Sequence, residues 1–421
     1  MMKTTFKMSA LALVMGVSAV MSAPVMAQAS SPVVCPGYEK GKTQLVGERA
    51  GKKVQKAFEA YNEDLVGEAL EILYDADPSD AFDKAYVGRF IGNLLASQDG
   101  KGEESLRYLT SAVEPKVLND TEHAQTLKLI GDLNLREENY KDAIKWYKEW
   151  MDFTCKEDKD VYVRMAQSYF ETKQLDKVIE PADKAIALYE EPNKNPYVLK
   201  LQSYYQRKMY PETVEVAETL VNTFPETPAW WTQLGVFYML VENYSDALAT
   251  MEIAYNAGYL EKESQFKNLA QLYSTNGIPY MAAKILEKHV ENGDIKKDDK
   301  MMRSIANSFH QAKNYDIAAN YYGKAGQMSS DPEDFQKQGS LLLVAEDYKG
   351  AISALNKALE RGAEEEGKIH FSLMEANFYL GNFKKAWEHV QLAKKEKSMR
   401  RNALAWEPYI KEKAKNRGIN I

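Results

Sequence analysis

The sequence predicts an all-α fold, a solenoid of about ten helix-turn-helix repeats, and three observations carry that prediction. The first is a period of about 35 residues, marked by an aromatic with an alanine three residues later. It appears in Asn139-Tyr140-Lys141-Asp142-Ala143, Asn243-Tyr244-Ser245-Asp246-Ala247, Asn314-Tyr315-Asp316-Ile317-Ala318 and Asp347-Tyr348-Lys349-Gly350-Ala351, with Asn382-Phe383-Lys384-Lys385-Ala386 as a fifth copy. The second is the return of small side chains at fixed phases, which requires helices to approach closely there. The third is the placement of Pro192, Pro196, Pro225, Pro228 and Pro332 between units or at helix starts, where proline punctuates a helix instead of breaking it.

The composition is that of a folded chain. Its 421 residues are 45% hydrophobic and 27% charged, with a mean hydropathy of -0.50, which excludes global disorder and a polytopic membrane protein. The formal charge of -7 opposes phosphate backbones, so no nucleic-acid partner is expected.

Taken in chain order, the first element is a leader. Lys3 and Lys7 precede an uncharged stretch from Met8 through Met21, then Ser22-Ala23-Pro24-Val25-Met26-Ala27-Gln28-Ala29. This pattern predicts a cleaved secretory signal peptide over residues 1–27, with cleavage after Ala29 as the alternative. The apolar run is shorter than the ~20 residues that span a bilayer, and Pro32-Val33-Val34 before Cys35 is a poor lipidation signal. No membrane-spanning segment is expected, and export to the periplasm is. Removing residues 1–27 takes two lysines and leaves a charge of -9.

Residues 28–49 read as an N-terminal tail. The chain has two cysteines, Cys35 and Cys155. An even count in an oxidising compartment favours one disulfide between them over two free thiols. Gly37-Tyr38-Glu39-Lys40-Gly41-Lys42-Thr43 is one residue short of a phosphate-binding loop and follows no apolar strand, so it reads as an entry to the first helix.

The repeats occupy residues 50–398. The marker falls at Ala69, Ser105, Ala143, Val178, Thr213, Ala247, Ala282, Ala318, Ala351 and Ala386. Twelve residues earlier stand Ala57, Asn93, Gly131, Ala166, Leu201, Gly235, Ala270, Ala306, Gly339 and Met374, mostly small. Seven residues later stand Ala76, Ala112, Trp150, Ala185, Leu220, Ala254, His289, Ala325, Ala358 and Ala393. Each unit therefore reads as two helices joined by a polar turn such as Glu137-Glu138-Asn139. The second unit departs most, with a distorted turn expected near Asp99-Gly100-Lys101-Gly102.

The unit resembles the tetratricopeptide repeat. Its best copy is Trp231-Thr232-Gln233-Leu234-Gly235, followed by Tyr238, Ala247 and Ala254. The resemblance implies a right-handed superhelix with one helix of every pair lining a concave face. Stacking agrees physically, because a lone hairpin cannot bury its apolar side. Residues 399–421 follow as a basic capping helix and tail. The stretch from 394 to 417 carries a local charge of +6, which leaves -15 on residues 28–393.

No chemistry-bearing motif stands out. His123, His289, His310, His370 and His389 are dispersed without the close spacing of a helical zinc site, no nucleophile elbow occurs, and the Glu364-Glu365-Glu366 run lacks a shaped pocket. Trp146 with Trp150 and Trp230 with Trp231 read as packing residues. No catalytic residue, metal or cofactor is called for, and the chain reads as a non-enzyme.

The resemblance places inner-face positions 18, 15, 11 and 8 residues before each marker. These give a protein- or peptide-binding set of Gln167, Phe170, Gln202, Tyr205, Met239, Lys267, Gln271, Arg303 and Asn307. Amides there can bond an extended peptide while Phe170, Tyr205 and Met239 support its apolar side chains. Lys267 with Gln271 and Arg303 with Asn307 partly resemble a clamp for chain termini, although Ser304 stands where a second asparagine would help. The export signal, Cys35-Pro36-Gly37-Tyr38, Gly47-Glu48-Arg49-Ala50-Gly51-Lys52 and the repeats together resemble periplasmic proteins that accompany TonB-ExbB-ExbD systems. That resemblance implies a scaffold with TonB-system components as partners, supporting uptake of iron complexes. A scaffold in envelope biogenesis, serving outer-membrane assembly, cell-wall or polysaccharide export machinery, is the alternative.

Overall fold

The computed structural model describes residues 34–36 and 44–421. The predicted leader and residues 28–33 and 37–43 of the tail lie outside the described residues. Among those described, the chain forms 21 α-helices and no strand. In order they are Glu48–Asn62 with Val66–Tyr74, Ala81–Ala96 with Gly102–Val113, and Asp120–Arg136 with Tyr140–Thr154. Lys159–Glu171 is followed by a 3-10 turn, Leu175–Val178, and then Ile179–Leu188. Next come Lys194–Gln206 with Tyr210–Thr223, Pro228–Leu240 with Tyr244–Asn256, and Glu263–Thr275 with Pro279–Glu291. Asp299–Gln311 with Tyr315–Ser329, Pro332–Val344 with Tyr348–Glu360 and Glu366–Tyr379 with Phe383–Lys395 complete the pairs, and Arg400–Asn416 closes the chain.

The period is a packing period. All ten marker residues, including Ser105, Val178 and Thr213, are fully buried. In several repeats a glycine in the first helix gives a bulky side chain four positions past the marker room to seat. A Cβ added at Gly131 would stand 2.7 Å from Tyr147 Cδ1, one at Gly235 2.6 Å from Met251 Cγ, and one at Gly339 2.5 Å from Leu355 Cγ. In the second unit that role belongs to Gly92, whose added Cβ would stand 2.5 Å from Leu109 Cγ. Asn93, the residue that counting places there, is only half-buried.

The ten turns share one conformation. Asp64, Gly100, Glu138, Lys173, Lys208, Glu242, Gly277, Lys313, Glu346 and Gly381, each five residues before its marker, have positive φ. The next residue commonly donates its N–H to a carbonyl five positions back, as from Asn139 to Asn134 (2.7 Å), Asn243 to Tyr238 (2.9 Å) and Asp347 to Leu342 (2.9 Å). This left-handed closure satisfies the last carbonyls of the first helix. The second unit differs as its sequence predicts: its first helix stops at Ala96, and Lys101 N–H reaches Gln98 at 3.3 Å instead.

The chain divides into two compact units, one ending at Thr172 and the other beginning at Lys173. The division falls inside the fourth repeat, where a 3-10 turn interrupts the second helix just before Pro181. Proline has no N–H to give a helical bond, so an unbroken second helix is disfavoured there.

In the first unit, Ala57, Ala69, Leu73, Ile91 and Leu95 build the core of the first two pairs. Cys35 and Cys155 are joined by a disulfide, with Cα atoms 4.9 Å apart. Beside it, Cys35 N–H donates to Phe153 O at 3.2 Å, and Val34 is buried. The tail is thus tied to the third pair.

In the second unit the core runs from Leu201, Leu220 and Leu234 through Met251, Leu269, Met302 and Phe309 to Leu355 and Leu373. The terminal helix contributes Ala403, Ile410 and Ala414 to a cluster with Met374, Phe378, Val390 and Ala393. Its charged side chains are partly engaged with the same hairpin. Glu407 accepts from Gln391 at 2.8 Å and from Lys394, and Lys411 lies 4.7 Å from the Trp387 ring centre. Gln391, Lys394 and Trp387 all belong to Phe383–Lys395.

Candidate functional site

The predicted binding residues all lie on the first helices of their pairs. In the first unit, Gln167 and Phe170 are half-buried on Lys159–Glu171. The others belong to the second unit.

Gln202 and Tyr205 sit on Lys194–Gln206, both half-buried. The Tyr205 ring lies 5.6 Å from Phe237 and 6.2 Å from Tyr210, centre to centre. Met239, on Pro228–Leu240, packs half-buried against the neighbouring core. Together these supply an apolar stretch with one amide. Further along, Lys267 and Gln271 are exposed on Glu263–Thr275. Lys267 pairs with Glu263, and Gln271 Nε2 donates to Thr275 Oγ1 at 3.2 Å. Such pairs at the surface are readily exchanged for a ligand, because each contributes only about 0–1 kcal/mol.

Arg303 is in a different situation. Its Nε donates to Asp334 Oδ1 at 2.9 Å and its Nη2 to Asp334 Oδ2 at 2.8 Å. Nη1 donates to Asp299 at 2.8 Å, and Nη2 also reaches Asp331 at 3.3 Å. Asp334 is only 1% exposed, so the guanidinium neutralises a carboxylate that burial would otherwise penalise. The hydrogen bonds to Asp334 hold the Arg303 pKa above its ordinary value. Asn307 Oδ1 accepts from Tyr322. The chain's own groups therefore occupy the clamp-like pair, whose geometry ties Asp299–Gln311 to Pro332–Val344.

Ionic contacts between successive first helices occur in the first unit as well. Arg164 Nη1 donates to Asp132 Oδ1 at 2.5 Å, and that same oxygen accepts from Tyr147 at 2.7 Å. Lys128 pairs with Asp158 at 2.5 Å. Along the second unit, Tyr238 donates to Glu218 (2.6 Å), Tyr273 to Glu252 (2.5 Å) and Tyr321 to Glu287 (2.7 Å). Burial, first, and the accepting carboxylate, second, push each of these three phenols above the ordinary tyrosine value.

The tryptophans divide in their packing. Trp150 is buried, with Lys128 Nζ 5.2 Å from its ring centre. Trp146 is half-buried. Trp231 Nε1 donates to Pro225 O at 2.8 Å, and Trp230 packs, partly buried, against the core cluster that includes Leu220 and Phe237. The Glu364-Glu365-Glu366 run is exposed.

Two histidine arrangements escape sequence reasoning. His289 takes a phase usually held by alanine and stacks on Phe266 with ring centres 3.7 Å apart. Its Nδ1 lies 2.7 Å from Asp294 Oδ2 and its Nε2 3.1 Å from Tyr255 Oη. His370 and His389, on the two helices of the last pair, approach at Nδ1···Nδ1 3.2 Å. They look dispersed in sequence because one hairpin brings them together. Among the described residues, no group of three or more histidine, cysteine, aspartate or glutamate side chains is gathered to hold a metal, and no helix is long and apolar enough to cross a membrane.

No family model and no curated protein matches the sequence. Several solved structures are similar to it in part. A tetratricopeptide repeat protein from Parabacteroides merdae is 16% identical, with 67% of this chain and 94% of that chain covered, at a TM-score of 0.35. The C-terminal part of a TPR repeat-containing protein from Cytophaga hutchinsonii is 15% identical, covering 58% and 98%, at 0.36. YrrB, described as a TPR protein with an unusual peptide-binding site, is 18% identical, covering 48% and 99%, at 0.34. The period, the buried phases and the paired helices of this chain itself make its fold a tetratricopeptide-like array of helix hairpins.

Proposed function

We infer that this protein is a non-catalytic periplasmic scaffold that binds envelope proteins or peptides on its first-helix face and serves a TonB-ExbB-ExbD system. The observation that carries the binding reading is the run of Gln202, Tyr205, Met239, Lys267 and Gln271 along successive first helices, half-buried or exposed. Aromatic and amide groups of this kind suit an extended peptide, with backbone bonds to the amides and side chains against the rings. Export is supported by the leader sequence and by the Cys35–Cys155 disulfide, since such bonds persist in oxidising compartments. The TonB assignment rests on the sequence resemblance of the N-terminal segment and the repeats.

In-cell cross-linking followed by affinity capture of the full chain tests this reading. TonB, ExbB or ExbD is expected among the captured proteins, and a Tyr205→Ala/Met239→Ala variant that still folds is expected to recover much less of it. Capture that never contains a TonB-system component would overturn the assignment. Recovery of cell-wall or outer-membrane assembly proteins instead would favour envelope biogenesis.

A further inference from the structure

The last helix pair brings two imidazoles into register. His370 lies on Glu366–Tyr379 and His389 on Phe383–Lys395. Their Nδ1 atoms stand 3.2 Å apart, with ring centres 5.3 Å apart and planes inclined by 28°. Both side chains are half-buried, so one side of the pair remains open to solvent.

We propose that His370 and His389 form a two-imidazole site for a divalent transition metal of the zinc or copper class, bound through both Nδ1 atoms and completed by water. The spacing carries the argument. Zinc-to-imidazole bonds are ~2.0–2.1 Å long, so two nitrogens 3.2 Å apart subtend an angle of roughly 100° at the ion, close to tetrahedral. Without a metal the two Nδ1 atoms share one hydrogen in an N–H···N bond, and a cation takes the place of that hydrogen between two Nδ1 lone pairs, each ring then carrying its hydrogen on Nε2. Imidazole nitrogen suits zinc, copper and nickel and is a poor ligand for magnesium or calcium, which fixes the chemical class.

The charged groups acting on the pair are one carboxylate and two ammonium groups. Glu366 is the acidic group whose charge acts on His370, opposed by Lys395, while Lys385 acts on His389. Burial holds both histidines below the ordinary value, and His389 is pushed down to about 4. With only two protein ligands the site is an exchangeable one, unlike the closed four-ligand sites that hold zinc as a structural element.

The test is calorimetric titration of the untagged, chelator-stripped full chain with Zn2+ at pH 7.5. One equivalent is expected to bind. His370→Ala and His389→Ala are each expected to weaken binding at least about tenfold, while His310→Ala on a different helix leaves it unchanged. Circular dichroism of each variant establishes that the repeats remain helical. Absence of binding by the unsubstituted chain, or equal affinity in the His370→Ala and His389→Ala variants, would overturn the proposal.

Discussion

At the scale of single residues, the same repeat poses two opposite demands on glycine. Glu346 occupies a left-handed turn position with φ of 61°, a conformation that costs an L side chain roughly 1–2 kcal/mol. Its carboxylate also sits at the carbonyl end of Pro332–Val344, where negative charge is unfavourable. Glu346→Gly is therefore expected to stabilise the protein by about 1 kcal/mol, after allowing for glycine's larger unfolded-state entropy. A rise in the thermal midpoint measures it, and a fall would contradict the strain argument. Gly339 is the reverse case, since the buried Leu355 side chain lies where its Cβ would go. Gly339→Val should destabilise by about 1–3 kcal/mol through overpacking, visible as a lower urea midpoint. Both demands were partly legible: the small residue showed as a recurrent phase, whereas the turn position is filled by aspartate, glutamate, lysine or glycine and leaves no compositional trace.

At the scale of the helix pair, the last hairpin carries its own response to acid. Desolvation, foremost, lowers the pKa of His370 and of His389, and each imidazole is further opposed by a nearby lysine. The unfolded chain, whose histidines titrate near the ordinary 6.5, therefore takes up protons more readily than the folded one. Stability from this pair is complete above pH 6.5 and is lost as pH falls below it, down to about 4 for the contribution of His389. With chelator present, the thermal midpoint is expected to drop between pH 7 and pH 5, and a His370→Gln/His389→Gln variant should drop less. An equal drop in both would assign acid sensitivity to other groups. Sequence reading missed this pair because 19 residues and a turn separate its members. The carboxylate partners of Arg303, itself singled out in the sequence, were not foreseen for a related reason: Asp331 and Asp334 belong to the following pair, 28 and 31 residues away. Repeat phase predicts which side a residue occupies, while its neighbour's identity depends on the next unit's sequence.

At the scale of the molecule, stability in such arrays is approximately a sum of hairpin and nearest-neighbour terms. The ties that cross between successive hairpins are therefore where cooperativity is decided within each unit. The tyrosine-to-glutamate bonds and the Arg303 carboxylate cluster are such ties in the second unit. In the first, Asp132 serves by accepting from both Tyr147 and Arg164. The fold class was legible almost throughout, because buried alanines and glycines at fixed phases report helix contact directly. The division into two units was not, since Pro181 reads locally as an ordinary residue of a repeat, and its effect emerges only in how the fourth pair is broken.

The second repeat shows what the period measures. Its turn holds extra backbone and its first helix ends early, yet Gly92 still meets Leu109 as Gly131 meets Tyr147. The chain conserves an order of contacts, and length is the quantity it lets vary. An alignment gap belongs in that turn, and inserted residues should be absorbed there with the seam between the two helices left intact.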